Sequence, residues 1–207
     1  MAHDPLGQQP SKRYFASMHR FGPAALSLLS LVWLITGRTE AKADMFSETL
    51  RDGGIAIVVE SPNTTADNTV TVIPSGLDNV NDPVTFSTDK QVVRAWMEDL
   101  MGDGTHEIFI QLRQPGSGSY GEIRAFSTNG DKSLSEIFVK PPEEKDMKGY
   151  MGHDEFEVME NTLVRRYPVY KEGDSNANPT GGYRQFQYKL GKGEASWIFR
   201  IDRVVEF

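Results

Sequence analysis

The sequence contains no cysteine. That excludes a disulfide framework, a thiol nucleophile, a cysteine zinc site and a lipid-anchoring cysteine, while leaving the redox compartment open. Histidine is scarce, four in 207 residues, so a histidine base or a histidine metal cluster has few side chains to draw on. Basic residues are outnumbered by acidic ones, 22 against 29. Such a balance repels polyanions and argues against nucleic-acid binding. Long amphipathic patterns with the 3.6-residue period of a helix are missing as well.

One long apolar run is present, near the amino terminus. Lys12, Arg13 and Arg20 precede Pro23–Thr36, and Ala41-Lys42-Ala43 follows. A basic flank, an apolar stretch and small residues before a cut are the three parts of a secretory signal peptide, with cleavage expected before Asp44. The run is about fourteen residues, short of the roughly 20 a membrane-spanning helix needs, and polar Gly37–Glu40 follows it directly. The expectation is export to the periplasm, a cleaved signal peptide over 1–43, no membrane anchor, and one domain over 44–207. Residues 1–43 hold five basic and two acidic side chains, so the remaining 17 basic and 27 acidic ones give a mature charge of about −10. An acidic surface draws basic partners and speeds their encounter.

Beyond residue 44 the chain is punctuated. Short segments rich in Val, Ile, Phe, Tyr and Thr alternate with clusters of Gly, Pro, Asn and Asp, the pattern of strands and turns. Strands are expected at Ile55–Glu60, Thr69–Ile73, Val84–Ser87, Val92–Leu100, Glu107–Gln114, Tyr120–Ser127, Leu134–Lys140, Glu155–Glu160, Leu163–Tyr170, Tyr183–Leu190 and Ser196–Phe207. Phe156 and Val158, then Phe186, Tyr188 and Leu190, then Trp197, Phe199 and Ile201 recur at period two, which places them on core faces rather than in a cofactor box. Phe46–Leu50 reads as a helical turn. Glu160-Asn161-Thr162 and Asn129-Gly130-Asp131 read as tight turns with positive φ. The fold class that follows is all-β, a single antiparallel β-sandwich or flattened barrel with little helix.

Three loops carry candidate chemistry. Asp99-Leu-Met-Gly-Asp103-Gly104-Thr-His-Glu107 has some of the spacing of a calcium loop, with Asp99, Asp103 and Glu107 as oxygen donors. Met101 stands at the third ligand position and Ile110 at the twelfth, and a thioether suits a hard cation poorly. The same residues equally suit a sharp turn in which the aspartates cap backbone amides. The second loop, Gln114-Pro-Gly-Ser117-Gly118-Ser119-Tyr120-Gly121, is longer than a hairpin requires. Glycine lets its backbone approach a partner closely, and the Ser and Tyr hydroxyls both donate and accept. From its residues alone it is either a flexible connector or a small knob able to enter a cleft. The third, Gly173-Asp-Ser-Asn-Ala-Asn-Pro-Thr-Gly-Gly182, is a long polar loop, solvated or a second contact.

Ser117-Gly118-Ser119-Tyr120 resembles the Ser-Gly-X-Tyr motif of the periplasmic inhibitors of invertebrate-type lysozymes. The likeness extends over most of the mature chain through Glu98-Asp99-Leu100, Gly102-Asp103-Gly104, Ser135-Glu136-Ile137, Gly149-Tyr-Met-Gly-His153-Asp-Glu-Phe156, Leu163-Val-Arg-Arg-Tyr167-Pro168 and Thr180-Gly-Gly182, in that order. The resemblance implies a lysozyme as protein partner, no enzymatic activity, no cofactor, and a homodimer. It also implies that the Ser117 and Tyr120 hydroxyls enter the lysozyme cleft and engage its catalytic carboxylates, the pair that glycoside hydrolysis depends on. The alternative is a calcium-binding envelope or adhesion-type module using Asp99, Asp103 and Glu107. An enzyme reading finds less: neither Ser117 nor Ser119 fits Gly-x-Ser-x-Gly, and after cleavage only His106 and His153 remain.

Overall fold

In the computed structural model the described residues are 45–207. The basic stretch, the apolar run and the expected cleavage point lie outside them. Strands β1 to β4 (Phe46–Asp52, Ile55–Ser61, Asn68–Ser75, Val84–Thr88) form a four-stranded sheet in sequence order. The other eight are β5 (Gln91–Glu98), β6 (Glu107–Arg113), β7 (Gly121–Ser127), β8 (Ser135–Val139), β9 (Glu155–Met159), β10 (Thr162–Pro168), β11 (Tyr183–Lys192) and β12 (Trp197–Glu206). They make one sheet in the order β5-β6-β7-β8-β12-β11-β10-β9. A turn of 3-10 helix at Glu144–Met147 is the only helix among the described residues. The protein is all-β, a four-stranded sheet laid on a barrel-like eight-stranded one.

The ends of the large sheet come together: Arg94 on β5 pairs with Glu157 on β9, Nη1 to Oε1 at 2.9 Å. Inside the curl lie Trp96, Phe109, Ile123, Leu163, Phe186 and Phe199 with their neighbours. A second core, Ile57, Val59, Val70, Val72, Ile110 and Leu112 among others, fills the space between the two sheets. Strand β6 belongs to both. Ile108, Ile110 and Leu112 face the small sheet and Phe109 faces the barrel interior, so this strand is a nearly unbroken apolar run rather than an alternating one.

Two expectations need correction. Phe46–Leu50 is the start of β1, paired with β2 from Phe46↔Ser61 to Asp52↔Ile55 across Gly53-Gly54. The pair Phe46 and Leu50 satisfies both periods, four apart for a helix turn and an even number apart for a strand, and the partner strand decides between them. The sheet is also not wholly antiparallel: β8 runs parallel to β12, with Phe138 opposite Ile198 and Val139 opposite Phe199. The turns behave as read. Glu160 and Asn161 have φ of 46° and 61°, and Asn129, Gly130 and Asp131 have 52°, 68° and 59°.

Candidate functional site

The Ser117–Tyr120 loop springs from the β6–β7 hairpin, whose ladder runs from Glu107↔Ser127 to Arg113↔Gly121. Gln114 N–H donates to the Tyr120 carbonyl at 2.8 Å, closing the strands beneath the loop. Within it, Ser119 N–H donates to the Gly116 carbonyl at 3.2 Å, and Ser119 takes a φ of 46°. A non-glycine residue in that region costs free energy and persists only where its surroundings hold it there.

Two other loops do the holding. His153 N–H donates to the Gly118 carbonyl at 2.9 Å. Asn176 Nδ2, from the long polar loop, donates to the Ser117 carbonyl at 2.6 Å. Asn176 is itself fixed, its carbonyl accepting from the Tyr170 hydroxyl at 2.9 Å and its Oδ1 lying 3.2 Å from His153 Nε2. Gly152 has a φ of 92°, and a Cβ there would drive into the Gly118 carbonyl. The approach of these two backbones therefore requires glycine.

Beneath the loop the side chain of Asp154 is wholly enclosed. Its Oδ2 accepts from Gly121 N–H at 2.7 Å and from the Tyr150 hydroxyl at 2.5 Å. Its Oδ1 accepts from Arg165 Nε and Nη2, both at 2.7 Å. Burial opposes the Arg165 charge, but Asp154 together with the neighbouring Tyr150 and Tyr188 outweighs burial and holds the guanidinium protonated above its ordinary range. Burial, and then the Asp154 charge, push the Tyr150 phenol well above the usual tyrosine range, so it remains a donor. The Tyr120 ring stands edge-on to Tyr150 at 5.5 Å between centroids, and Tyr150 edge-on to Tyr167 at 4.6 Å. This is a favoured aromatic geometry. A line of contacts thus runs from the barrel interior to the exposed tip.

The four motif residues divide into two roles. Ser117 is exposed and Tyr120 is 39% exposed. Among the described residues neither hydroxyl has a hydrogen-bond partner, so both are free to donate and accept outward. The Ser119 hydroxyl turns back to the Gly116 carbonyl at 3.3 Å. Gly118 lies under the Tyr120 ring, where a Cβ would meet Cε2 at 2.5 Å.

The Asp99–Glu107 loop is used differently. Asp99 accepts from Asp103 N–H at 3.1 Å through Oδ1 and from Gly104 N–H at 2.9 Å through Oδ2. Asp103 Oδ1 accepts from Thr105 N–H at 2.9 Å. Glu107 points the other way, into the protein, where Leu100 N–H donates to it at 3.2 Å. Burial first, then the nearby Asp103 and Asp99 charges, push its carboxyl up to about 7. Among the described residues no three His, Asp or Glu side chains are grouped to hold a metal ion. The two histidines among the described residues sit in separate surroundings: His106 lies 3.1 Å from both Asp131 and Asp52, His153 beside Asn176 and Tyr170.

Tyr150, Asp154, Arg165 and Asn176 do not stand out as functional in the sequence. One signal was there for Arg165: it shares the inward face of β10 with Leu163 and Tyr167, and a charge on a core stripe demands a buried partner. Which carboxylate answers it depends on the fold. No protein-family model matches the chain, and a search of curated proteins returns no match.

Proposed function

We propose that the protein is a noncovalent inhibitor of lysozyme, of the invertebrate type, acting in the periplasm after removal of residues 1–43. The observation that supports this reading above others is the pairing of a braced loop with two unsatisfied hydroxyls at its tip. Three chain segments fix the backbone of residues 117–121, yet the Ser117 and Tyr120 hydroxyls remain unbonded among the described residues. A loop held in one shape loses little conformational entropy on docking. Hydroxyls placed against the catalytic acid and its partner carboxylate exclude substrate and water with no covalent step. The negative charge of the mature chain favours encounter with a basic enzyme.

The direct test is residual activity of an invertebrate-type lysozyme as the purified protein is added, beside chicken-type and goose-type enzymes. Ser117→Ala combined with Tyr120→Ala is expected to weaken inhibition by about a hundredfold or more, roughly 3 kcal/mol at about 1.4 kcal/mol per tenfold. The melting temperature should fall by only a few degrees, because neither hydroxyl bonds within the described fold and the loss is confined to the Tyr120 ring's edge contact with Tyr150, about 1 kcal/mol. An inhibition constant unchanged by the double variant would falsify the assignment of the loop.

A further inference from the structure

The long polar loop reads from its residues as solvated chain or as a second contact, and its bonding fits neither. Asp174 ties its two limbs together. Oδ2 accepts from Lys171 N–H at 2.7 Å on one limb and from Thr180 N–H at 2.8 Å on the other, and Oδ1 accepts from the Thr180 hydroxyl at 2.9 Å. The Lys171 and Thr180 amides hold its carboxyl below the ordinary carboxylate range. The returning limb is fixed on Val169, whose N–H donates to the Gly182 carbonyl at 2.9 Å and whose carbonyl accepts from Gly181 N–H at 2.8 Å. Between the limbs Asn178 N–H donates to the Ser175 carbonyl at 2.9 Å, closing a turn with Asn176 as its second residue.

Asn176 turns its side chain inward. Nδ2 donates to the Ser117 carbonyl at 2.6 Å, and Oδ1 lies 3.2 Å from His153 Nε2. Turned the other way, the amide would set its oxygen against the Ser117 carbonyl, two acceptors face to face, so the donor belongs toward the tip. It follows that His153 Nε2 carries a hydrogen, because Oδ1 can only accept. The imidazole stacks on Tyr170 at 6.4 Å between centroids, and the Tyr170 hydroxyl holds the Asn176 carbonyl. Two successive carbonyls of the tip are thus gripped, Ser117 by Asn176 and Gly118 by His153 N–H. The His153 ring joins the two grips.

We propose that Asp174 and Asn176 are positioning residues for the Ser117–Tyr120 tip, Asn176 by gripping Ser117 and Asp174 by holding Asn176 in place, and that neither touches the partner. The role of the tip rests on the inhibitor reading above, while the grip is a property of the free protein. Ser119 reports on it. Its left-handed backbone and its N–H bond to the Gly116 carbonyl persist only while the surroundings hold the loop, so releasing the grip exposes that amide to water. Asp174 makes no hydrogen bond to residues 114–121 among the described residues, so any effect of its loss on the tip passes through Asn176.

The test uses the full mature chain and two measurements. In the free protein, hydrogen exchange of the Ser119 amide, followed by nuclear magnetic resonance, is expected to quicken about tenfold in Asn176→Asp, which replaces the donor by an acceptor at constant shape, and by a similar factor in Asp174→Ala. Inhibition of an invertebrate-type lysozyme should weaken about tenfold in both variants, with Ser117 and Tyr120 untouched and far-ultraviolet circular dichroism unchanged. An unchanged Ser119 exchange rate would overturn the proposal. Weakened inhibition at an unchanged exchange rate would overturn it too, since Asn176 would then be a docking contact. Faster exchange with inhibition intact would sever the order of the tip from its action. If the unsubstituted protein leaves lysozyme fully active, the inhibitor reading fails and the exchange rates alone decide the grip.

Discussion

A carboxylate sealed from water needs its lone pairs answered, and at Asp154 an amide, a phenol and a guanidinium do so. This one residue fixes where β7 begins, where Tyr150 supports Tyr120, and where Arg165 sits. Removing one partner of a buried ion pair leaves the other charged and unpaired, at a cost of about 3–5 kcal/mol. Asp154→Ala is therefore expected to lower the unfolding free energy by roughly that amount in urea titrations. Combining Asp154→Leu with Arg165→Met, which removes both charges, should return a large part of it. If the double variant is no more stable than Asp154→Ala, the loss belongs to the loop's hydrogen bonds and not to the stranded guanidinium.

At the scale of elements, the start of β6 carries a pH response. His106 lies between Asp131 and Asp52, joining the β7–β8 turn to the end of β1. Burial opposes its protonation, but the two carboxylates prevail and its pKa rises above 6.5. The stability it contributes is full below about pH 6.5 and is lost as pH rises through the higher folded value. Glu107 acts in the same direction. Its carboxyl, 4.5 when unfolded, is pushed to about 7, so its share is full below about pH 4.5 and gone above about pH 7. At about 1.4 kcal/mol per unit this amounts to on the order of 3 kcal/mol. Melting temperature should therefore fall from pH 5 to pH 8. Glu107→Gln keeps the shape and removes the titration, and its melting temperature should vary far less over that interval. A wild-type profile that rises with pH instead would contradict both assignments.

Across the whole molecule, the two cores are joined through β6. Phe109 lies in the barrel interior, stacked on Trp96 at 5.2 Å between centroids, while Ile108 and Ile110 beside it face the small sheet. A strand shared by two cores couples their unfolding. Phe109→Ala is expected to cost about 3–5 kcal/mol and still give one transition. Aromatic circular dichroism, sensitive to the packed ring pair of the barrel, and far-ultraviolet circular dichroism, which follows both sheets, should report the same denaturation midpoint. Two separate midpoints would show that the sheets unfold independently. The Arg94–Glu157 pair that brings the sheet ends together is solvent-exposed, and such pairs contribute about 0–1 kcal/mol. Curvature is thus maintained by the apolar interior.

The residues by themselves determined the strand content, because a period-two apolar face can be buried only as a strand, and eleven of the twelve strands carry that face or a compact apolar run. They also determined the tight turns, since Asn161 and Asn129-Gly130 suit the positive φ those turns need, while Glu160 is held there by the strands it joins. Strand β1 was ambiguous because two apolar residues four apart satisfy either period. The parallel β8–β12 pair and the bracing of the Ser117–Tyr120 loop were decided only by the tertiary structure. Local pattern says which face of a strand is buried and is silent on which strand lies next to it. Asp154 meets Arg165 and Gly121, and Asn176 meets Ser117, across separations that no periodicity reaches.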